Sequence, residues 1–81
     1  MKNFFIISKV QCTTARALLE WNQADLAEKS GISNATTANF ESGRTNIAAN
    51  SVVAIMNAFH EAGIRFEENE NEIVIRLIKK L

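Results

Sequence analysis

Gly31 lies between two short segments that each have the pattern of a helix, and this junction constrains the fold most strongly. Asn22 can accept a hydrogen bond from a free backbone N–H group, so it predicts the start of a helix, Gln23–Ser30. A glycine after that helix readily adopts the left-handed conformation that stops it. Ser33 can then cap a second helix, expected over residues 34–42. Two short helices joined at a sharp turn make a helix-turn-helix.

A further helix is expected before this pair. Ser8 and Gln11 have the spacing of a capping box, which predicts a helix from there to about Glu20. Helical spacing predicts that its core face contains Cys12, Ala15, Leu18 and Leu19. In the helix over residues 34–42, Phe40 is expected to be the main buried side chain.

The last predicted helix follows a linker of polar and small residues. Either Asn50 or Ser51 is expected to cap it, and Gly63 is expected to close it. Its apolar stripe at helical spacing consists of Val52, Ile55, Met56 and Phe59.

The C-terminal segment is open to two interpretations. Two runs rich in β-branched residues surround a polar turn, which favours a β-hairpin over residues 64–78. The apolar residues from Ile73 to Leu81 also fit one face of a helix, because a short apolar run does not define its own periodicity. The stretch "NFFII" near the start is a candidate third strand. The chain is therefore expected to be a single domain, residues 1–81, mainly α, with a helical core over 8–62 and a C-terminal hairpin.

Composition limits the classes of function. Nine basic and nine acidic residues give a net charge of zero, so bulk positive charge cannot supply binding to nucleic acid. One cysteine excludes an internal disulfide framework and fits a reducing compartment. The opening residues are too short an apolar run for a leader or a membrane span, so a cytoplasmic protein is expected.

Three short motifs in this order and spacing resemble one known family. They are Asn22-Gln23-Ala24-Asp25-Leu26-Ala27, Gly31-Ile32-Ser33 and Phe40-Glu41-Ser42-Gly43-Arg44. The chain is similar to the Cro/C1 or Xre-type helix-turn-helix proteins of phage and bacteria over about residues 11–59. The resemblance implies a lambda-repressor-like bundle of four to five helices, with the helix-turn-helix at residues 22–42.

The resemblance also implies that the helix over residues 34–42 enters the major groove of DNA. The base-contact candidates by family position are Asn34, Ala35, Thr36 and Asn39. Asparagine presents a donor and an acceptor that match adenine, and the methyl groups of Ala35 and Thr36 can contact thymine. The alternative interpretation of Asn34 and Asn39 is that both are ordinary solvated helix residues.

The resemblance implies two further roles, namely contact with the DNA backbone and a pairing that holds two helices together. The phosphate-contact candidates are Gln23, Arg44, Thr45 and Asn46. The alternative interpretation is that Gln23 is only a first-turn residue and that Thr45 and Asn46 are only loop residues. Arg16 and Glu41 match positions that pair between the helices that contain them. The second helix of the motif has no Lys or Arg, and Thr37 stands where the family usually has Ile or Val, which predicts loose packing and modest affinity.

The expected function is that of a sequence-specific DNA-binding transcriptional regulator. Double-stranded DNA is the expected partner, and a homodimer is expected through the apolar C-terminal segment. The alternative is a non-enzymatic module that holds a protein partner, such as an antitoxin-like adaptor. No nucleophile with a base, no metal-ligand cluster and no phosphate loop is evident, so we expect no enzyme, no cofactor, no metal and no small-molecule ligand.

Overall fold

The fold is seen in a computed structural model that describes residues 6–43 and 47–79. In that part of the chain, four helices precede a two-stranded antiparallel hairpin. The elements are α1 (Lys9–Leu19), α2 (Gln23–Ser30), α3 (Asn34–Ser42), α4 (Ala49–Glu61), β1 (Ile64–Glu68) and β2 (Ile73–Leu77). The prediction of a mainly α helix-turn-helix fold with a C-terminal hairpin is confirmed.

The N-terminal caps of the first three helices are those the sequence predicts. Ser8 accepts from the backbone N–H of Gln11, whose side chain accepts from the backbone of Ser8 in return. Asn22 caps α2, and Ser33 caps α3 by accepting from the backbone of Thr36. These side-chain bonds satisfy donors that the first turn of a helix leaves unpaired. Local sequence therefore sets where each of these short helices begins.

The start of α4 differs from the prediction. Ala48 is its N-cap and makes no side-chain hydrogen bond, and the helix begins at Ala49 rather than after Asn50 or Ser51. The backbone N–H groups of Ser51 and Val52 both donate to the carbonyl of Ala48. Alanine has the highest helix propensity, so the helix extends into the linker, where water can satisfy its exposed first turn.

The core lies between the four helices and one face of the hairpin. Its buried apolar residues are Ile7, Cys12, Ala15, Leu26, Val52, Ile55, Ala58, Phe59 and Ile64. The ring of Phe59 stacks on Trp21 at 5.9 Å and meets Phe66 edge-on at 6.0 Å. These aromatic contacts join α4 to the turn before α2 and to the hairpin.

Two predictions of burial are wrong. The core face of α1 runs through Cys12, Ala15 and half-buried Leu19, which leaves Leu18 at its margin with 42% of its surface exposed. In α3, Thr37 is fully buried and Phe40 only half-buried. The hydroxyl of Thr37 donates to the carbonyl of Ser33 at 3.1 Å, which offsets the cost of burying a polar group. Thr37 therefore occupies the buried position under α3 with its hydroxyl group hydrogen-bonded.

The hairpin interpretation of residues 64–78 is confirmed, and the helical alternative for that segment is wrong. Asn69 closes the turn, because its side-chain oxygen accepts from the backbone of Asn71 and Glu72. The register pairs Ile64 with Leu77 and Phe66 with Ile75, so these apolar side chains share the face that covers the core. Most of the candidate strand "NFFII" lies outside the described residues, and its described residues 6 and 7 are not in a strand.

Gly63 follows the C-cap of α4, closes the helix as predicted and connects it to β1. Ala62 is the C-cap of α4, and Gly63 has a φ of 103°. A Cβ at Gly63 would lie 2.8 Å from the carbonyl oxygen of Ile78, whose N–H donates to Gly63. The base of the hairpin therefore needs glycine both for its backbone conformation and for the close approach of the second strand.

Substitution of this glycine tests the packing of the hairpin base. We expect Gly63→Ala to lower the free energy of unfolding by about 3 kcal/mol, because backbone strain and a steric clash add. Gly31→Ala is the matched control, since its φ of 77° is also left-handed but no atom lies within 4 Å of its added Cβ. The control should cost about 1 to 2 kcal/mol in urea unfolding. Equal losses in the two variants would contradict this account.

Candidate nucleic-acid interface

The exposed side of α3 is polar and uncharged. Asn34, Ala35 and Asn39 are exposed, and no hydrogen bond within the described part of the chain uses the side-chain amide of either asparagine. Thr36 differs, because it is half-buried and its hydroxyl oxygen accepts from the Ser33 hydroxyl at 2.9 Å. The structure thus brings three of the four base-contact candidates to the open surface, whereas Thr36 is half-buried and its hydroxyl is engaged with Ser33.

The carboxylate of Glu41 ties α3 to α1. The Arg16 guanidinium donates from Nε to one carboxylate oxygen at 2.7 Å and from Nη2 to the other at 2.8 Å. Its remaining nitrogen, Nη1, donates to the carbonyl of Trp21 at 2.9 Å. Only 4% of the Glu41 side chain is exposed, against 18% for Arg16. A bidentate pair of this kind fixes both position and orientation, because two parallel bonds leave little freedom to rotate.

Two further donors reach the same carboxylate. Nε2 of Gln23 donates to Oε1 of Glu41 at 2.9 Å, and the thiol of Cys12 donates to Oε2 at 3.1 Å. Gln23 is the first residue of α2, so the carboxylate joins three helices. One N–H of the Gln23 amide therefore faces inward, while its backbone N–H remains at the open start of α2. Sequence reasoning missed the thiol, although Cys12 lies one helical turn before Arg16 and therefore on the same side of α1.

The shared hydrogen bonds explain the protonation states of the cluster. Burial alone would raise the pKa of Glu41, but the hydrogen bonds from Arg16, Gln23 and Cys12 outweigh it and hold that pKa below its usual range. The hydrogen bond to Glu41 raises the pKa of the Arg16 guanidinium. Burial, with the hydrogen bond and negative charge of Glu41, raises the pKa of the Cys12 thiol, so it stays a protonated donor.

Several other expectations concern positions away from this cluster. Arg44, Thr45 and Asn46, the remaining phosphate-contact candidates, lie outside the described residues. Over residues 6–43 and 47–79, no group of three or more His, Cys, Asp and Glu residues could hold a metal ion. Within the same ranges, none of the helices has the length and apolar character needed to cross a bilayer.

The pH dependence of stability tests the Glu41 cluster. Because its pKa is lowered in the folded protein, ionised Glu41 stabilises the fold above the unfolded-state pKa of about 4.3, and this contribution is lost as pH falls through the folded pKa. We expect Glu41→Gln to cost roughly 2 to 3 kcal/mol at neutral pH, and the difference from wild type to shrink below about pH 4. Urea unfolding at both pH values measures it.

The control for this measurement is Glu28→Gln, which changes an exposed carboxylate on α2. It should alter the free energy of unfolding by less than about 0.5 kcal/mol at either pH. A loss in Glu41→Gln that is independent of pH would show that the charge of Glu41 contributes nothing.

Comparison with known proteins agrees with the helix-turn-helix arrangement of α2 and α3. A family model for the helix-turn-helix matches residues 14–62, which is more than half of the chain and includes α2, the turn and α3. No curated protein matches the sequence. The matched segment contains Arg16, Gln23 and Glu41, whose side chains hold α1, α2 and α3 together. The chain belongs to the Cro/C1-type helix-turn-helix family of DNA-binding regulators.

Proposed function

We propose that this protein is a non-enzymatic, cytoplasmic transcriptional regulator that reads a specific DNA sequence through the exposed side of α3. The observation that supports this most is the placement of Asn34 and Asn39 on an uncharged, exposed surface. Side-chain amides can recognise adenine in the major groove through two hydrogen bonds. Ala35 lies on the same surface, where its methyl group suits contact with thymine.

The start of α2 is proposed to contact a phosphate. The backbone N–H groups of the first turn are positively polarised, and Gln23 lies at that point. The hydrogen bond from Gln23 to Glu41 fixes the position of the side chain, so its other N–H is available to an anion without reorganisation. Arg44, Thr45 and Asn46 are proposed as further phosphate contacts on the basis of their family positions. In this arrangement, α3 supplies specificity and its flanks supply attraction to DNA.

Base reading can be tested after selection of a preferred duplex from a random pool. We expect Asn39→Ala, and likewise Asn34→Ala, to weaken binding to the selected site by about 1 to 3 kcal/mol, because a bidentate base contact is lost. Binding to unrelated duplex should change far less. Fluorescence anisotropy on both duplexes gives the two affinities.

The matched control is Asn57→Ala, which removes an exposed asparagine from α4. It should leave both affinities unchanged. Equal losses on selected and unrelated DNA would remove Asn34 and Asn39 from base reading. Failure of the wild-type protein to enrich any sequence would instead favour the protein-interaction module.

We further propose that the regulator acts as a homodimer formed through its hairpin. The apolar face of β2 extends beyond the helical core at Ile73, which is 59% exposed, and a further apolar residue just after the strand, Ile78, is 50% exposed. In the described part of the chain the sheet has two strands, which leaves the outer edge of β2 unpaired there. An apolar strand edge favours pairing with a second chain. Two-fold symmetry would place the two α3 helices in successive major grooves about 34 to 36 Å apart.

A charge at the hairpin tests this assembly. We expect Ile73→Glu to shift the protein to monomer and to abolish cooperative binding to DNA with two half-sites, because it places a carboxylate in the proposed apolar contact. Sedimentation velocity measures the first effect. Leu18→Glu changes a similarly exposed apolar residue on α1 and should leave assembly intact. Removal of the whole hairpin is unsuitable, since buried Ile64 belongs to the core. Unchanged dimerisation in Ile73→Glu would exclude this interface.

A further inference from the structure

Lys9 lies beside the C-terminal end of α3, although it belongs to α1. It is the first residue of α1 and its surface is exposed. A Cβ built on Gly43, the C-cap of α3, would lie 3.0 Å from Nζ of Lys9, 3.4 Å from Cδ and 3.7 Å from Cε. Three atoms of the side chain therefore run along the end of α3, and the ammonium group lies where that helix ends.

The ammonium group has no anionic partner within the described part of the chain. The salt bridges found there join Arg16 to Glu41 and Arg76 to Glu67, and Lys9 takes part in neither. Arg16, the other cation packed against α3, uses all three of its nitrogens in hydrogen bonds to Glu41 and Trp21. Because α3 itself contains no Lys or Arg, Lys9 is a cation that this surface can offer to an outside anion.

The nature of the outside anion is inferred from where Lys9 lies relative to the base-contact candidates on α3. Ala35 and Asn39 are one turn apart on the same side of α3, and Gly43 follows Asn39 by four residues at the end of the helix. The ammonium group thus lies about one turn beyond Asn39. A helix in the major groove has sugar-phosphate backbone on both sides, because the groove is only about 12 Å wide. We propose that Lys9 binds a DNA phosphate at the point where α3 leaves the groove.

This assignment rests on the proposed function and extends the DNA contact surface to the start of α1. It also explains how a chain of zero net charge can bind a polyanion, since the few cations need only be well placed. A competing role is purely structural: a cation beside the carbonyl end of α3 would stabilise that helix through its dipole. The two roles separate experimentally. A dipole effect changes thermal stability, whereas a phosphate contact changes the salt dependence of DNA binding.

The test compares wild type, Lys9→Gln, Lys9→Arg and Lys29→Gln on a labelled mixed-sequence duplex. Lys29 is the control because it is also exposed but lies in the last turn of α2, next to Trp21 and Glu61. The slope of log affinity against log salt concentration is negative, and its magnitude should decrease by about one in Lys9→Gln. It should stay at the wild-type value in Lys9→Arg and Lys29→Gln. Thermal unfolding of each variant is measured in parallel.

Each outcome decides the assignment. A smaller magnitude of the salt slope in Lys9→Gln alone supports the assignment, whether or not the melting temperature also changes. A wild-type slope in Lys9→Gln overturns it, and a lower melting temperature with that slope assigns Lys9 to the helix dipole. An equal fall in Lys29→Gln also overturns it, because net charge alone would then account for the effect. A wild-type protein that binds no duplex at any salt concentration overturns the proposed function, and the Lys9 contact with it.

Discussion

The arrangement of α1, α2 and α3 depends on one buried carboxylate. Glu41 receives four hydrogen bonds, two from Arg16 and one each from Gln23 and Cys12. An ionised carboxylate is costly to bury unless its oxygens are fully paired, so each of these donors stabilises the same charge. The helix that contains Glu41 is short and fully buries only Thr37, so apolar packing alone fixes its orientation weakly. The hydrogen bonds from three directions supply the missing constraint.

Because the Glu41 cluster holds α3 in place, the outer side of this helix need not pack against the rest of the protein and is available for the proposed recognition of DNA. A helix owes most of its stability to the packing of its buried side, so the exposed side of α3, which has few core residues and no basic residues, contributes little to stability. Here the side-chain amides of the exposed asparagines make no hydrogen bond within the described residues, and Gln23 at the neighbouring helix start is held by the same carboxylate. Base reading and phosphate contact would then share one rigid support. A zero net charge limits attraction to unrelated DNA, which favours discrimination over raw affinity.

Local signals in the sequence predicted the parts of the fold that local chemistry determines. The caps at Ser8, Asn22 and Ser33 each follow from a side chain and a backbone only three residues apart, so the starts of α1, α2 and α3 were predictable. The start of α4 was not, because no cap hydrogen bond forms and alanine propensity decides it. The hydrogen bond from Cys12 to Glu41 spans 29 residues of sequence. The position of Cys12 on the Arg16 side of α1 does not by itself predict that its thiol donates to a carboxylate so distant in sequence. Exposure of Leu18 also depended on the packing of other helices, which periodicity within α1 cannot specify.

In the proposed function, the Glu41 cluster presents the exposed side of α3 to the bases of DNA. The most direct measurement is a nuclear magnetic resonance titration of the ¹⁵N-labelled protein with its selected duplex, observing side-chain N–H signals. We expect the side-chain amide signals of Asn34 and Asn39 to shift strongly and to show contacts to base protons. We also expect the Nε signal of Arg16 to move very little, because its bond to Glu41 already exists in the free protein. Large shifts confined to the hairpin, with the α3 amides unchanged, would contradict the account.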